Sequence, residues 1–135
     1  MCTSDEQMAD SVLGPILLVE DDDVLVSVLT RHLRARGYEV VVRGTAASAL
    51  ASLKEGLRPS LVLLDINLPD ATGWEIPRSP ELIAAGSPPV VVATATSISP
   101  ARVQEYGLAG YLPKPFPLKT LMAVVERHAG VPRDQ

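Results

Sequence analysis

Short runs of apolar residues alternate along this chain with longer segments in which apolar positions recur every three or four residues. A strand inside a parallel sheet is apolar at nearly every position, whereas a helix that covers the sheet is apolar along one side only. The short runs therefore predict five strands, at Ile16–Val19, Tyr38–Val42, Leu61–Leu64, Val90–Ala93 and Gly110–Leu112.

The segments between these runs predict helices. Residues 24–36 form an amphipathic helix that Gly37 ends, residues 45–53 form a second helix, and Pro117 begins the last one. Strands that alternate with helices build a parallel sheet with helices on both of its faces. The pattern thus predicts an α/β fold, a single doubly wound sheet.

The third and fourth helices are expected to be irregular or shortened. Four prolines interrupt residues 74–89, which leaves a turn or two of helix at residues 81–85. The segment before the fifth predicted strand has room for only about two turns, at residues 100–106. The conformation of the connecting residues is not predicted by the pattern.

Length and composition exclude several classes of protein. The chain has 135 residues, which is the size of one domain, and 47% of them are hydrophobic, enough for a core. A net charge of −4 without a basic run argues against direct binding of nucleic acid. The one cysteine, Cys2, excludes an internal disulfide and a cysteine zinc site. No apolar stretch approaches the ~20 residues of a membrane helix, so we expect a cytoplasmic domain.

Polar residues follow four of the predicted strands. Glu20 and Asp21 follow the first strand, Asp65 the third, Thr94 the fourth and Lys114 the fifth. The carboxyl ends of parallel strands lie along one edge of the sheet, where binding sites form. Crowded carboxylates repel one another unless a proton or a cation intervenes, and oxygen ligands alone suit a hard ion, most simply Mg²⁺. A carboxylate in such a site is also a nucleophile toward phosphorus.

Each of these residues has a simpler structural explanation when it is taken alone. Acidic residues 20–23 are typical of a helix N-terminus, where Asp22 or Asp23 caps the helix. A threonine at a strand end usually bonds to backbone, and a lysine before a proline usually lies in a solvated loop. Tyr111, on the fifth predicted strand, is by itself typical of a core residue with a solvated hydroxyl. The functional interpretation depends on the convergence of segments that are distant in the chain.

Four segments carry a family resemblance: ILLVEDD, LVLLDINLPDATG, VVVATAT and GYLPKPF. With these segments in this order, residues 15–129 resemble the receiver domain of two-component response regulators, in the single-domain form known from chemotaxis regulators. The resemblance implies the flavodoxin-like receiver fold, a five-stranded parallel sheet in the order 2-1-3-4-5. Residues 1–14 would form a flexible lead and residues 130–135 a tail.

The resemblance further implies a phosphorylation site. Asp65 would accept a phosphoryl group from a histidine kinase, a phosphotransfer protein or a small acyl phosphate. Mg²⁺, or Mn²⁺ in its place, would be bound by Asp21, Asp65 and the backbone carbonyl of Asn67, with Glu20 acting through a bound water. These assignments come from the family and not from the residue pattern.

Three more residues have implied roles in binding and switching. Lys114 would pair with a phosphoryl oxygen, and Thr94 would turn its hydroxyl toward another. Tyr111 occupies the position of the aromatic residue that swings inward in the active state. The resemblance also implies a cis peptide bond at Lys114–Pro115.

The leading hypothesis is a phosphorylatable receiver that switches protein–protein contacts and is not an enzyme with multiple turnovers. Its output would pass to an unknown protein target, and a weak homodimer is compatible with it. A pseudo-receiver that keeps the fold without phosphate signalling is the alternative, motivated by the irregular helices. A hydrolase is disfavoured because no glycine-rich phosphate loop and no GxSxG motif occur.

Overall fold

The centre of the fold is a parallel sheet whose strands follow the order β2-β1-β3-β4-β5. The computed structural model describes residues 13–70 and 73–132. The α/β class and the strand order expected from sequence and resemblance are confirmed. The strands are β1 Ile16–Val19, β2 Val40–Arg43, β3 Leu61–Leu64, β4 Val90–Thr94 and β5 Gly110–Pro113.

Strands β1 and β3 are buried on both faces, which is why they contain only aliphatic residues. Every residue of these two strands is buried. Successive side chains of a strand point to opposite faces, so Ile16 and Leu18 belong to one hydrophobic core and Leu17 and Val19 to another. The sheet therefore lies between two apolar layers.

Helices form those two layers. On one face, α1 (Asp23–Ala35) and α5 (Leu118–Ala129) pack on the sheet through residues such as Leu33 and Leu121. The other face is covered by α2 (Ala46–Lys54), α3 (Pro80–Ala84), α4 (Pro100–Glu105) and a 3₁₀ turn at Gly73–Glu75.

The third and fourth helices are short, as the sequence predicted. Helix α3 has five residues and α4 has six. Pro80 and Pro100 lie in their first turns, where the missing N–H has no helical partner in any case. Ser79 and Ser99 cap these helices by accepting backbone hydrogen bonds. Pro80, one of the prolines that argue against a long third helix, therefore starts a short one.

Some expectations concern residues outside the described part of the chain. Residues 1–12 of the predicted lead at residues 1–14, which include Cys2, lie outside the described part of the chain. Residues 133–135 of the predicted tail at residues 130–135 also lie outside it. Within residues 13–70 and 73–132, none of the helices combines the length and the hydropathy that crossing a bilayer requires.

Candidate functional site

Two buried carboxylates lie side by side at the carboxyl end of the sheet. Strands β1 and β3 are neighbours with Val19 opposite Leu64, so the residues that follow them meet at this edge. These residues are Glu20 and Asp65, of which only 4% and 7% are exposed. Asp21 comes next in the chain and is exposed. One carboxylate oxygen from each of the three residues lies within 4.8 Å of the others.

A lysine ammonium bridges the two buried carboxylates. Lys114 follows β5, and its backbone N–H donates to the carbonyl of Thr94 at 2.9 Å. Its Nζ donates to Oε1 of Glu20 at 2.8 Å and to Oδ2 of Asp65 at 2.9 Å. The peptide bond between Lys114 and Pro115 is cis. The fold thus brings into contact three side chains that are distant from one another in the sequence: Glu20, Asp65 and Lys114.

Burial and neighbouring charges shift the pKa values of Glu20 and Lys114. Burial raises the pKa of Glu20 above its ordinary value of 4.5; the hydrogen bond and charge of Lys114 oppose this rise, and the charge of Asp65 adds to it. Burial by itself lowers the pKa of Lys114, but its hydrogen bonds and attraction to both carboxylates outweigh burial and raise the pKa above 10.5. Lys114 is therefore a cation at neutral pH and the counter-ion of both carboxylates.

The chemistry of the donor set fits a hard divalent cation. Glu20, Asp21 and Asp65 offer carboxylate oxygens, which are the ligands that Mg²⁺ prefers. Asp21 and Asn67 line an open cleft of about 620 Å³, which leaves space for the waters that Mg²⁺ retains. The backbone N–H of Asn67 donates to Oδ1 of Asp65 at 2.9 Å, which holds this part of the loop beside the cluster.

A network of hydroxyl groups connects the loop after β3 with β4 and β5. Thr94 is fully buried, and its Oγ1 accepts from Nδ2 of Asn67 at 3.2 Å and from the backbone N–H of Thr96 at 3.3 Å. Nδ2 of Asn67 also donates to Oγ1 of Thr96 at 2.7 Å. The hydroxyl of Tyr111 donates to the carbonyl of Thr96 at 3.0 Å. Thr96 therefore links Thr94 to Tyr111 through hydrogen bonds. Thr96 was not identified from the sequence, although it lies only two residues beyond Thr94.

Comparison with known proteins decides the family. The family model for the response regulator receiver domain matches residues 16–126. This chain belongs to the response regulator receiver domain family. The match includes every residue of the cluster and of the hydroxyl network.

Relatives of this receiver domain include regulators and solved receiver structures. The DNA-binding response regulator MtrA of Mycolicibacterium smegmatis is 38% identical over 118 residues, which are 86% of this chain and 50% of that protein. The structure of a CheY-like receiver domain protein from Methanospirillum hungatei has a TM-score of 0.77 at 26% identity and covers 86% of this chain and 93% of its own. The chain spans a quarter to half of the length of the curated relatives that it matches first.

One similar structure contains a metal ion. It is the receiver domain of the sensor histidine kinase PA1611 from Pseudomonas aeruginosa, with a magnesium ion coordinated in its active-site cleft. This domain is 30% identical, has a TM-score of 0.73 and covers 88% of this chain and 99% of its own. A receiver domain similar to this one thus binds Mg²⁺ in its active-site cleft, and in this chain the carboxylates of Glu20, Asp21 and Asp65 could hold a metal ion.

A glycine allows the loop after β3 to close tightly around the receiver site. Gly73 donates its backbone N–H to the carbonyl of Ile66 at 2.8 Å. A Cβ at this position would lie 2.7 Å from Cα of Ile66 and 2.8 Å from the carbonyl oxygen of Asp65. Both are backbone atoms, so a change of side-chain rotamer cannot relieve the clash with an added Cβ.

We therefore expect Gly73→Ala to lower the free energy of unfolding by about 1–3 kcal/mol, the range for overpacking a tight site. Urea denaturation followed by circular dichroism measures the change. Gly110→Ala is the matched control, because its Cβ would meet only side-chain atoms of Val91 at 3.7 and 3.8 Å. The control should stay within about 0.5 kcal/mol of wild type. Equal losses in both variants would contradict a specific clash at Gly73.

Proposed function

We propose that this receiver domain accepts a phosphoryl group on Asp65 from a histidine kinase or a phosphotransfer protein and thereby switches its contacts with other proteins. The observation that carries the proposal is the hydrogen bond between Nζ of Lys114 and Oδ2 of Asp65 within the acidic cluster. Asp65 follows β3, the middle strand of the sheet. It therefore has the carboxylates of Glu20 and Asp21 on the β1 side and the hydroxyl of Thr94 on the β4 side.

The proposed reaction is a substitution at phosphorus. An oxygen of Asp65 forms a bond to phosphorus while the bond from phosphorus to the donor nitrogen or oxygen breaks, and the donor leaves with that electron pair. Lys114 already lies within hydrogen-bond distance of Asp65, so its ammonium group can donate a hydrogen bond to an oxygen of the incoming phosphoryl group. Thr94 can turn its hydroxyl toward a second oxygen. Both groups stabilise charge that the transfer brings to the site.

Asp21, Asp65 and the backbone carbonyl of Asn67 would hold Mg²⁺, or Mn²⁺, and Glu20 would act through a bound water. The cation, when bound, neutralises negative charge on the phosphoryl oxygens and on the carboxylates. Three carboxylates within 4.8 Å of one another would otherwise repel an incoming phosphoryl group. The magnesium ion in the similar receiver domain of PA1611 supports this assignment.

The switch would act through the hydroxyl network. Thr94 accepts hydrogen bonds from Asn67 and from the backbone of Thr96, and these bonds must rearrange when its hydroxyl turns toward a phosphoryl group. Thr96 in turn holds the hydroxyl of Tyr111 on β5. A phosphoryl group adds a charge of about −1.5 to −2. This local charge would therefore change the surface near β4 and β5, where an unknown protein target would bind.

Incubation of the full chain with Mg²⁺ and acetyl phosphate tests the proposal. We expect the intact mass to increase by one phosphoryl group, and we expect no increase when EDTA removes the cation. The group should be lost slowly, without the sustained turnover of a phosphatase. No mass increase with acetyl phosphate and with histidine kinases would instead favour an interaction module that keeps the fold without phosphate signalling.

A further inference from the structure

We infer that Asp70 is a positioning residue that holds the loop of Asp65 and Asn67 in the geometry required by the proposed cation site. The inference rests on the proposed function. Oδ1 of Asp70 accepts the backbone N–H of Ala46 at 3.0 Å, and Oδ2 accepts the backbone N–H of Ala47 at 3.0 Å. The carboxylate thereby connects the loop after β3 to the first two residues of α2.

This contact satisfies groups that α2 cannot satisfy by itself. The first N–H groups of a helix have no partner within the helix. The side chain of the neighbouring cap, Thr45, accepts the N–H of Ser48 at 3.0 Å, which is two residues beyond Ala46. The first turn of α2 contains no acidic residue, so Asp70 also supplies the negative charge that a helix N-terminus favours. Two charge-assisted hydrogen bonds give the loop a defined attachment.

The attachment matters because Asn67 lies between two fixed points. On one side, Oδ1 of Asp65 accepts the backbone N–H of Asn67 at 2.9 Å. On the other side, Asp70 is fixed to α2 three residues further along. Asn67 itself is exposed, so burial does little to position its backbone. The side chain of Asn67 is held on the β4 side by Thr94 and Thr96. Asp70 is therefore the attachment that fixes the loop on the α2 side of the carbonyl of Asn67, the proposed ligand.

The test compares Asp70→Asn with Thr45→Ala in the full chain. Asparagine keeps the size of the side chain, but it lacks the charge and one of the two acceptor oxygens. Alanine at position 45 removes the other cap of α2 without touching the loop. Calorimetric titration with Mg²⁺ gives the dissociation constant, and thermal denaturation gives the melting temperature. We expect the constant of Asp70→Asn to rise on the order of tenfold, the lower end for residues that orient metal ligands.

The matched variants separate positioning from stability. Thr45→Ala should bind Mg²⁺ as wild type does, even if its melting temperature falls as far as that of Asp70→Asn. Asp70→Glu retains both carboxylate oxygens, so this variant should bind Mg²⁺ more tightly than Asp70→Asn does. Asp70→Ser replaces Asp70→Asn in the comparison if the latter does not fold.

Three results would overturn the inference. Unchanged affinity in Asp70→Asn would show that the loop needs no attachment. Equal weakening in Thr45→Ala would show that only the stability of α2 matters. Failure of the wild-type chain to bind Mg²⁺ would remove the proposed cation site and this inference with it, whereas the first two results leave the proposed function intact.

Discussion

An Asp65→Asn variant should take up no phosphoryl group from acetyl phosphate under conditions in which the wild-type chain takes up one. An amide oxygen is a much weaker nucleophile than a carboxylate, and phosphorylation of an uncharged amide would leave an unstable product. The substitution keeps an oxygen that can accept the backbone N–H of Asn67. It also removes one of three crowded negative charges. Lys114 keeps Glu20 as its partner, so the variant should fold, and intact-mass measurement should show the loss of phosphoryl uptake.

Asp22→Asn is the matched control for this experiment. Asp22 lies beside the cluster and caps α1 by accepting the backbone N–H groups of Val24 and Leu25 at 3.0 and 3.1 Å. Asparagine caps helices about as well as aspartate does, so this variant should be phosphorylated as wild type is. Uptake of phosphate by Asp65→Asn at the wild-type rate would show that the acceptor lies elsewhere.

Lys114→Met should lower the rate constant of phosphorylation by about 10²- to 10³-fold, the loss typical of removing one group that stabilises a developing charge. Nζ of Lys114 lies 2.8 Å from Glu20 and 2.9 Å from Asp65. Methionine keeps much of the apolar side chain but leaves both buried carboxylates without this counter-ion. The time course of the mass increase measures the effect. Lys119→Met, at an exposed position on α5, should leave the rate unchanged.

The same substitution should also make stability more dependent on pH. Near pH 7 we expect Lys114→Met to lose about 1–3 kcal/mol of the free energy of unfolding, the range for a buried group that loses its partner. The pKa of Glu20 is already raised above 4.5 in the folded chain by burial, and loss of the counter-ion raises it further. A carboxyl group with a raised folded pKa stabilises the fold below its unfolded pKa, and this stability is lost as the pH rises through the folded pKa.

The loss in Lys114→Met should therefore be largest near neutral pH and smallest near pH 4.5, the ordinary pKa of Glu20. Urea denaturation of wild type and variant at several pH values measures it. A loss that stays constant across this range would contradict the view that Lys114 is the counter-ion of Glu20.

The parts of the fold that were predicted well are those in which burial leaves little choice of residue. Strands β1 and β3 have the predicted bounds because a strand buried on both faces admits only apolar side chains, and its first polar residue marks its end. The predicted bounds of β2, Tyr38–Val42, were wrong: the strand is Val40–Arg43, and Tyr38 is buried but lies before it. An apolar residue can be buried outside a strand, so composition alone does not separate the two cases.

Residues of the site were predictable where they directly follow a strand, because the position of the strand then determines the position of the residue. Glu20, Asp65 and Lys114 directly follow strands, so sheet topology was enough to bring them to one edge. Thr96 and Asp70 lie in loops, and no periodicity relates a loop residue to its partner. Their contacts with Asn67 and with α2 depend on backbone conformations that the residue pattern does not specify.

The order of apolar and polar residues by itself determined a parallel α/β sheet with carboxylates, a threonine and a lysine at the carboxyl ends of its strands, because burial selects residue type position by position. Only the tertiary structure decided which of these groups touch: Lys114 reaches both Glu20 and Asp65, and Asp70 reaches across to α2. The physical reason is that the two effects depend on different distances along and across the fold. Burial acts on each residue separately, whereas a hydrogen bond requires two groups within about 3 Å, and for residues distant in the chain only the folded backbone sets that separation.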